Sequence, residues 1–389
     1  MRLLHTSDWH VGVTLGGKDR LNEHAVFIEE LNSIIQEESI DAVLIAGDLY
    51  DQSNPPPGAE KLVFDFFRVM AERKIPVVLI AGNHDSGPRI EGRARLLQLV
   101  EIHAFGEPRR DAAIEIITKT NEKLVVAALP FAGESRLLHW DEAAAQSSLD
   151  QKQTFAERMK GLLDALASTH FKPDAVNVMM AHLTVDGAAL SGSERNLRMS
   201  DTWTIPSEML PALGHYIALG HIHKPQVVPN APIPCAYSGS PLHIDFGEEK
   251  DFKGVYVVTA AAGKPIQLDF RPLKNVLPVR TIRTTMKDLP SLSKELHDFT
   301  GHIKVAIKLN EEDKKVGVAE EIRRTLPQTL MVQVDAPTPE PKSVVQLTDA
   351  GQKPLEAYTL YLESQSRQAT PDLVNAFQEL ANEALHASP

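Results

Sequence analysis

The sequence predicts an α/β protein built on a buried sheet, and two observations carry that prediction. From Arg2 to about residue 270, short β-branched apolar runs alternate with segments whose apolar residues recur at helical spacing, the mark of βαβ units. Five of the runs end in residues suited to holding a metal: Asp8-Trp9-His10, Gly47-Asp48, Gly82-Asn83-His84-Asp85, His182 and Gly220-His221-Ile222-His223. In open α/β sheets ligands bind beyond the carboxyl ends of strands, so segments far apart in sequence can meet at one edge. Alternation taken alone suggests a three-layer sandwich. At 389 residues the chain exceeds one compact core and implies a large body with smaller attachments.

The strand expectations run 3–6, 42–46, 77–81, 124–129, 176–181 and 217–219. Residues 24–38 place Phe27, Leu31, Ile34 and Ile35 at helical spacing, and residues 60–72 do the same with Leu62, Phe66, Val69 and Met70. Each helix would cover a sheet face. Loops are marked by composition at 54–58, 186–200 and 225–234, and the first and last follow candidate ligands directly. After about residue 275 the pattern restarts as strand 276–283, helix 288–299, strand 303–309, helix 318–326 and strand 330–335, a small α/β unit of its own. Three prolines, Pro337, Pro339 and Pro341, then mark an extended linker over 336–345. Two helices follow, 352–365 with Leu355, Tyr358 and Leu362 on one stripe, and 372–386 with Leu373, Phe377, Leu380 and Ala384. Thr370-Pro371 supplies an N-cap and a first-turn proline for the second. The boundaries expected are therefore 1–274, 275–335, 336–345 and 346–389.

Composition narrows the chemistry. Hydrophobic residues at 43% and charged residues at 24% are ordinary for globular proteins. With Cys235 alone, an intramolecular disulfide and a thiolate cluster are excluded, so any metal is held by nitrogen and oxygen. The start of the chain carries no signal-like apolar region, and no segment approaches the roughly 18 apolar residues of a membrane span, which gives a cytoplasmic expectation. A formal charge of -12 argues against wrapping nucleic acid nonspecifically, because backbone binding depends on Lys and Arg. It does not exclude an enzyme acting on DNA, since bound cations invert the field of an acidic site and a partner can supply basic surface.

Asp8 and His10, like His221 and His223, are one residue apart, so an extended backbone would point both to one side. Glycines ahead of Asp48, Asn83 and His221 permit sharp strand exits. Each piece alone is ordinary. An Asp-x-His recurs by chance, a Gly-Asp pair can be a plain turn, and a single histidine such as His182 more often lies in a core. In this order and in matching contexts the set argues for a site. Mixed imidazole and carboxylate donors suit Mn²⁺, Fe²⁺ or Zn²⁺ better than Ca²⁺, and manganese is the expectation. Seven donors, Asp8, His10, Asp48, Asn83, His182, His221 and His223, are too many for one ion and match two divalent ions sharing a carboxylate, the arrangement of phosphatases and nucleases. His84, between Asn83 and Asp85, can face substrate while a nearby carboxylate orients it, as a general acid or charge stabiliser. His5, His24, His103, His170, His215, His243, His297 and His302 lack such context and read as structural or solvated. Arg89, Arg93 and Arg95 read first as a solvated helix face and second as phosphate steering.

This set resembles the calcineurin-like metallophosphoesterases. The matching stretches are His5-Thr6-Ser7-Asp8-Trp9-His10, Gly47-Asp48-Leu49-Tyr50-Asp51, Gly82-Asn83-His84-Asp85-Ser86, Ser193-Glu194-Arg195, Ala218 to Gln226 and Tyr237-Ser238-Gly239-Ser240-Pro241, covering the chain to about residue 250. The resemblance implies four layers, two packed sheets flanked by helices, with a small α/β capping domain and C-terminal helices. It implies Asp8, His10 and His223 on one metal, Asn83, His182 and His221 on the other, Asp48 bridging, and His84 with Asp85 as the catalytic pair. Non-bacterial relatives carry histidine where Asp51 stands. The implied activity is manganese-dependent cleavage of DNA phosphodiesters, exonucleolytic from 3' ends and endonucleolytic at hairpins and single strands. The implied assembly is a homodimer within a heterotetramer, gated by an ATPase whose coiled coil the final helices grip. A phosphomonoesterase or cyclic nucleotide phosphodiesterase on the same scaffold is the alternative, although neither needs the units after residue 275. A metal-free scaffold is disfavoured by the complete donor set.

Overall fold

The βαβ pattern of the first hundred residues folds in order as β1 (Arg2–Thr6), α1 (Leu21–Glu37), β2 (Ala42–Ile45), α2 (Pro57–Glu72), β3 (Val77–Ile80), α3 (Gly87–Gln98) and β4 (Ile102–Phe105). The chain then builds β5 (Ala113–Ile117), β6 (Lys123–Leu129), α4 (Ser148–His170), β7 (Val176–His182), β8 (Tyr216–Gly220), β9 (Gln226–Val227) and β10 (Cys235–Tyr237) before returning through β11 (Gly254–Thr259) and β12 (Gln267–Pro272). This is a computed structural model; it describes residues 1–133, 148–191, 203–309, 316–335, 355, 358, 359, 362 and 370–386. The chain divides into two units, Met1–Ile307 with Val316–Gln333, and Lys308–Lys315 with Val334–Pro389.

The first six-stranded sheet has the order β12-β11-β1-β2-β3-β4 and the second the order β9-β10-β8-β7-β6-β5. Within the first, β1 to β4 are parallel, β11 runs antiparallel beside β1, and β12 pairs antiparallel with β11 at the edge. Within the second, β10, β8, β7 and β6 are parallel, while β5 and β9 close the edges antiparallel. Every residue of β2, β3 and β7 is buried, as expected of strands covered on both faces.

What covers them differs by face. Val43, Ile45 and Leu79 pack with Phe27, Leu31 and Phe66 of α1 and α2. The opposite face of the same strands places Leu44, Val78 and Ile80 in one core with Val126, Met180 and Ala218 of the second sheet, whose far side meets Met159 and Leu163 of α4. The result is four layers, as the family resemblance implied, and not the three that alternation alone suggests. Alternation reports that both faces of a strand are covered; it does not report whether the cover is a helix or another sheet. The α2 stripe is also rotated, since Ala59, Val63, Phe66 and Met70 are buried whereas Leu62 and Val69 are only partly so. Strands β4, β5 and β9 to β12 and helix α4 had no counterpart among the sequence expectations.

The small unit after residue 275 consists of β13 (Val279–Thr285), α5 (Leu289–Glu295), β14 (His302–Lys308), α6 (Val318–Thr325) and β15 (Thr329–Asp335), with its strands in the order β13-β14-β15. Helix α7 (Pro371–His386) starts at the expected proline, and Leu355, Tyr358, Thr359 and Leu362 are helical, with the Tyr358 and Phe377 rings stacked at 4.1 Å. The expected linker 336–345 and most of loop 186–200 lie outside the described residues.

One part-buried contact ties β14 to α1: His302 Nε2 lies 2.8 Å from Glu23 Oε1, and Glu23 also receives Arg20 Nη2 at 2.5 Å. Burial would raise the Glu23 carboxyl, but the His302 and Arg20 hydrogen bonds outweigh it and hold the group at about 2, below its ordinary 4.5. A carboxylate depressed by folding stabilises fully above its unfolded value and loses that contribution as pH falls towards its folded value. Glu23→Gln should therefore cost roughly 1.5–3 kcal/mol at pH 7. In urea denaturation the gap between wild type and variant should shrink from about pH 4.5 downward; a gap constant to pH 3 would refute the pairing.

Candidate metal centre

All the candidate donors sit just past, or at, the carboxyl ends of parallel strands: Asp8 and His10 after β1, Asp48 after β2, Asn83 and His84 after β3, His182 closing β7, and His221 and His223 after β8. The two sheets thus contribute to one seam. Adjacent segments are laced together there, with Asp8 N donating to Gly47 O at 2.9 Å, His10 N to Asp48 O at 3.0 Å and Val11 N to Leu49 O at 3.1 Å.

The backbone that delivers these side chains is not the extended one expected. Asp8 (φ 51°), His10 (φ 47°), Asp48 (φ 47°) and His221 (φ 101°) are all left-handed. A non-glycine residue held there costs on the order of 1–3 kcal/mol, and such strain persists only where surrounding contacts enforce it. Convergence of Asp8 with His10 therefore comes from turning the chain, not from the pleat of a strand. The glycines likewise act partly by size. Gly47 does have φ +97°, but a methyl group on it would also lie 2.1 Å from His182 Nδ1. Gly82 has no positive φ; a methyl there would meet Asp48 Oδ1 at 2.1 Å, so its role is room and not a sharp exit.

The candidate donors lie close together. Ligand atoms of Asp8, His10 and His223 lie within 4.8 Å of one another, as do those of Asp8, Asp48 and His182, and those of His10, Asp48 and His84. His10 Nε2 and His223 Nε2 face each other at 3.2 Å, with Asp48 Oδ2 3.7 Å from the former. Asn83 Oδ1 receives His182 Nε2 at 3.0 Å and His221 Nδ1 at 2.9 Å, and Asp48 Oδ2 lies 3.4 Å from His182 Nε2. Asp48 is thus the acid that stands near both groups.

Electrostatics give the fit to cations. Asp8, His10, Asp48 and His182 are at most 2% exposed. Burial pushes the Asp8 carboxyl up, whereas the His182, His10 and His84 charges hold Asp48 well below the usual range despite its burial. Burial would lower the imidazoles, yet Asp51, Asp48 and Asp8 raise His10 to about 9, and Asp48 and Asp8 raise His182 to about 9. The geometry agrees for His182, because its Nδ1 donates to Ala46 O at 2.9 Å while its Nε2 faces the Asn83 oxygen, so both ring nitrogens carry hydrogen. Burial together with the His182 charge lowers His221 to about 3. Protons are here doing what divalent cations do for a buried acidic cluster, and binding a metal would release them. Imidazole, carboxylate and carboxamide donors crowded at these distances fit two divalent ions.

The catalytic pair expected from sequence is separated by the fold. His84 is exposed beside the cluster, its ring 4.6 Å from that of His10, and its Nδ1 donates to the Asp51 carbonyl oxygen at 2.8 Å. That leaves Nε2 as the nitrogen available to substrate. Asp85 does not orient it. Its carboxylate accepts from Leu49 N at 3.1 Å, Tyr50 N at 3.0 Å and Gly82 N at 2.9 Å, clamping the Asp48 loop to the Asn83 loop. Burial and the Asp48 charge push it up to about 6. Sequence proximity suggested a partner for His84; three unpaired backbone amides claimed the carboxylate first.

Sequence reasoning missed Glu248, which receives His223 Nδ1 at 3.0 Å, and Phe131, whose ring stacks near His221 at 6.2 Å. Neither carries a local signal, since each reaches the site only through the return of a distant strand. Arg89 and Arg93 both pair with Glu60 of α2, at 2.7 Å and 2.9 Å, so they are engaged within the helix layer. Of the histidines set aside, His5 and His24 are fully buried and hydrogen-bonded, His5 to Tyr216 and His24 to the Trp9 carbonyl, in keeping with structural use. In Asp85→Asn at least one of the three amides faces a donor. Urea denaturation should show a loss of roughly 1–3 kcal/mol, and metal affinity should fall with it; unchanged stability would mean the clamp is dispensable.

Comparison with known proteins agrees with this geometry. The calcineurin-like phosphoesterase family matches residues 1–225. A Bacillus subtilis protein, named as the SbcD subunit of the nuclease SbcCD, is 38% identical over 272 residues, covering 68% of this chain and 67% of its own. A Rhodobacter capsulatus protein of the same name is 32% identical over 286 residues, covering 68% of this chain and 67% of its own. A dimetal phosphatase from Danio rerio, 11% identical, superposes with a TM-score of 0.40 over 70% of this chain and 96% of its own, a likeness too slight to bear on the site. From the donor set, the two-sheet seam that holds it and these sequence matches, the chain belongs to the calcineurin-like phosphoesterase family, on the branch of the SbcD nucleases.

Proposed function

We propose that this chain is a two-metal nuclease that hydrolyses DNA phosphodiesters as part of an ATP-dependent complex with an SbcC-like coiled-coil ATPase, in the cytoplasm. The observation that carries the reading is the meeting at five strand ends of seven nitrogen and oxygen donors, two of them the buried carboxylates Asp8 and Asp48. Asp8, His10 and His223 would hold one ion and Asn83, His182 and His221 the other, with Asp48 between them. Manganese suits this mixture of imidazole and oxygen donors. When bound, the ions supply Lewis acidity towards a phosphate and offset its charge. The chain's own residues do the rest.

His84 is placed to work on substrate. The Asp51 carbonyl takes its Nδ1 hydrogen, which fixes the ring and presents Nε2 outward to donate a proton to a leaving oxygen or to stabilise charge on the phosphate. Asp85 is a positioning residue in this account, because it ties the loop that carries His84 to the loop that carries Asp48. The rigid left-handed segments hold the donors in place, so little reorganisation is left for the reaction.

The attachments support the assembly. Residues 275–335 form a small sheet with two helices suited to capping a DNA substrate, and 346–389, including α7, supply apolar positions such as Leu373 and Leu380, both exposed, for a partner's coiled coil. Leu96 and Leu99 on α3 and after it, 71% and 80% exposed, offer a surface for a second copy and hence a dimer within a heterotetramer. Activity on duplex 3' ends, hairpins and single strands is the expected range.

Incubation with labelled hairpin DNA and, separately, para-nitrophenyl phosphate, each with Mn²⁺ and with chelator, tests the reading. DNA should be cut only with the metal; turnover of the aryl phosphate beside intact DNA would favour a phosphomonoesterase instead. His84→Ala should keep both ions and lose cleavage by about 10²–10⁴-fold. Metal analysis that finds empty sites in that variant would contradict the assigned role.

A further inference from the structure

The Asp8, His10 and His223 corner is backed by a pair of opposite charges that no motif marks. Glu248 ends a short 3-10 turn, Phe246–Glu248, and Lys253 directly precedes β11. Both are buried, at 0% and 4% exposure. His223 Nδ1 lies 3.0 Å from Glu248 Oε1, and because a carboxylate only accepts, that nitrogen carries the hydrogen. Its Nε2 is therefore the nitrogen whose lone pair is turned towards His10.

Glu248 is held from behind. Its Oε2 accepts from Lys253 Nζ at 2.7 Å and from Ile244 N at 3.0 Å. Lys253 Nζ also donates to the His223 carbonyl at 3.2 Å and to Ser240 Oγ at 2.9 Å. One ammonium thus grips the backbone of His223 while the carboxylate beside it grips the ring. Taking two charges out of water is costly, and buried ion pairs can often be replaced by apolar residues without loss of stability. Stability alone therefore gives little reason to keep this pair, whereas the aim of one imidazole gives a direct one.

We propose that Glu248 and Lys253 are positioning residues for a divalent cation at the Asp8, His10 and His223 corner. Glu248 fixes His223 in the Nδ1–H form and turns Nε2 towards the corner. Lys253 keeps Glu248 an acceptor and tethers the ligand's main chain. Carboxylates that orient ligating histidines commonly contribute 10- to 100-fold in metal affinity. This inference rests on the two-cation reading above for the identity of the bound group.

The test uses the full chain, purified free of metal, as wild type, Glu248→Gln and the double variant Glu248→Gln/Lys253→Met, which removes both charges together. Mn²⁺ titration is followed by electron paramagnetic resonance, the His223 tautomer by nitrogen-15 NMR of the metal-free imidazoles, and the fold by thermal melting. The expected result is a melt close to wild type in the double variant and a lowered one in Glu248→Gln, where the Lys253 ammonium is left without its carboxylate, with affinity lowered roughly 10- to 100-fold at one site and unchanged at the other in both, and a His223 signal that shifts from Nδ1–H to a mixture of tautomers. Wild-type affinities in both variants, an equal loss at both sites, or an unmoved tautomer would each overturn the inference. A wild-type chain that takes up fewer than two ions would instead sink the two-cation reading, and the metal-free tautomer measurement would still decide whether Glu248 sets the ring.

Discussion

Two carboxylates, Asp8 and Asp48, are buried side by side among imidazoles at the seam of two sheets, and that concentration of negative charge is the constraint from which the rest of the centre follows. Acids taken out of water must be compensated. Within the chain itself compensation comes from raised histidines, His10 and His182, and from a hydroxyl, Ser7 Oγ, which donates to Asp8 Oδ2 at 2.5 Å. Divalent cations answer the same demand with more charge per site, and they do so where the donor atoms already point.

Holding that arrangement requires a stiff frame. Strands β2, β3, β7 and β8 are wholly buried, so the points at which their loops depart are set by two cores, one between the sheets and one under α1 and α2. The loops themselves are strained at Asp8, His10, Asp48 and His221, and the strain is contained by main-chain hydrogen bonds and by the Asp85 clamp. Stability is spent at the strand ends so that geometry is ready before any ligand arrives.

Around the donors stands an outer layer that shapes how they behave. The Ala46 carbonyl sets His182, Glu248 sets His223, and the Asp51 carbonyl sets His84. Two of those three partners are backbone oxygens whose residue identity carries no message. This explains why Asp51 matters here through its peptide group as well as through its side chain, which lies 3.4 Å from His10 Nδ1.

Much of the molecule was legible in the order of residues. Apolar runs ending in Asp, Asn or His located five strands and the donors that follow them, because strand burial and ligand chemistry are both written in residue type. The same text misassigned Asp85, since adjacency to His84 in sequence says nothing about which amides a carboxylate will meet after folding. It also missed β11, whose pairing with β1 is a contact across more than two hundred residues, and β12, which pairs with β11, and with them Glu248 and Lys253. Residue chemistry by itself determined which groups could bind metal and at which strand ends they stood. Only the tertiary structure decided that left-handed turns bring the donors together and that Asp85 clamps two loops in place of orienting His84, because both depend on long-range packing that no local pattern encodes.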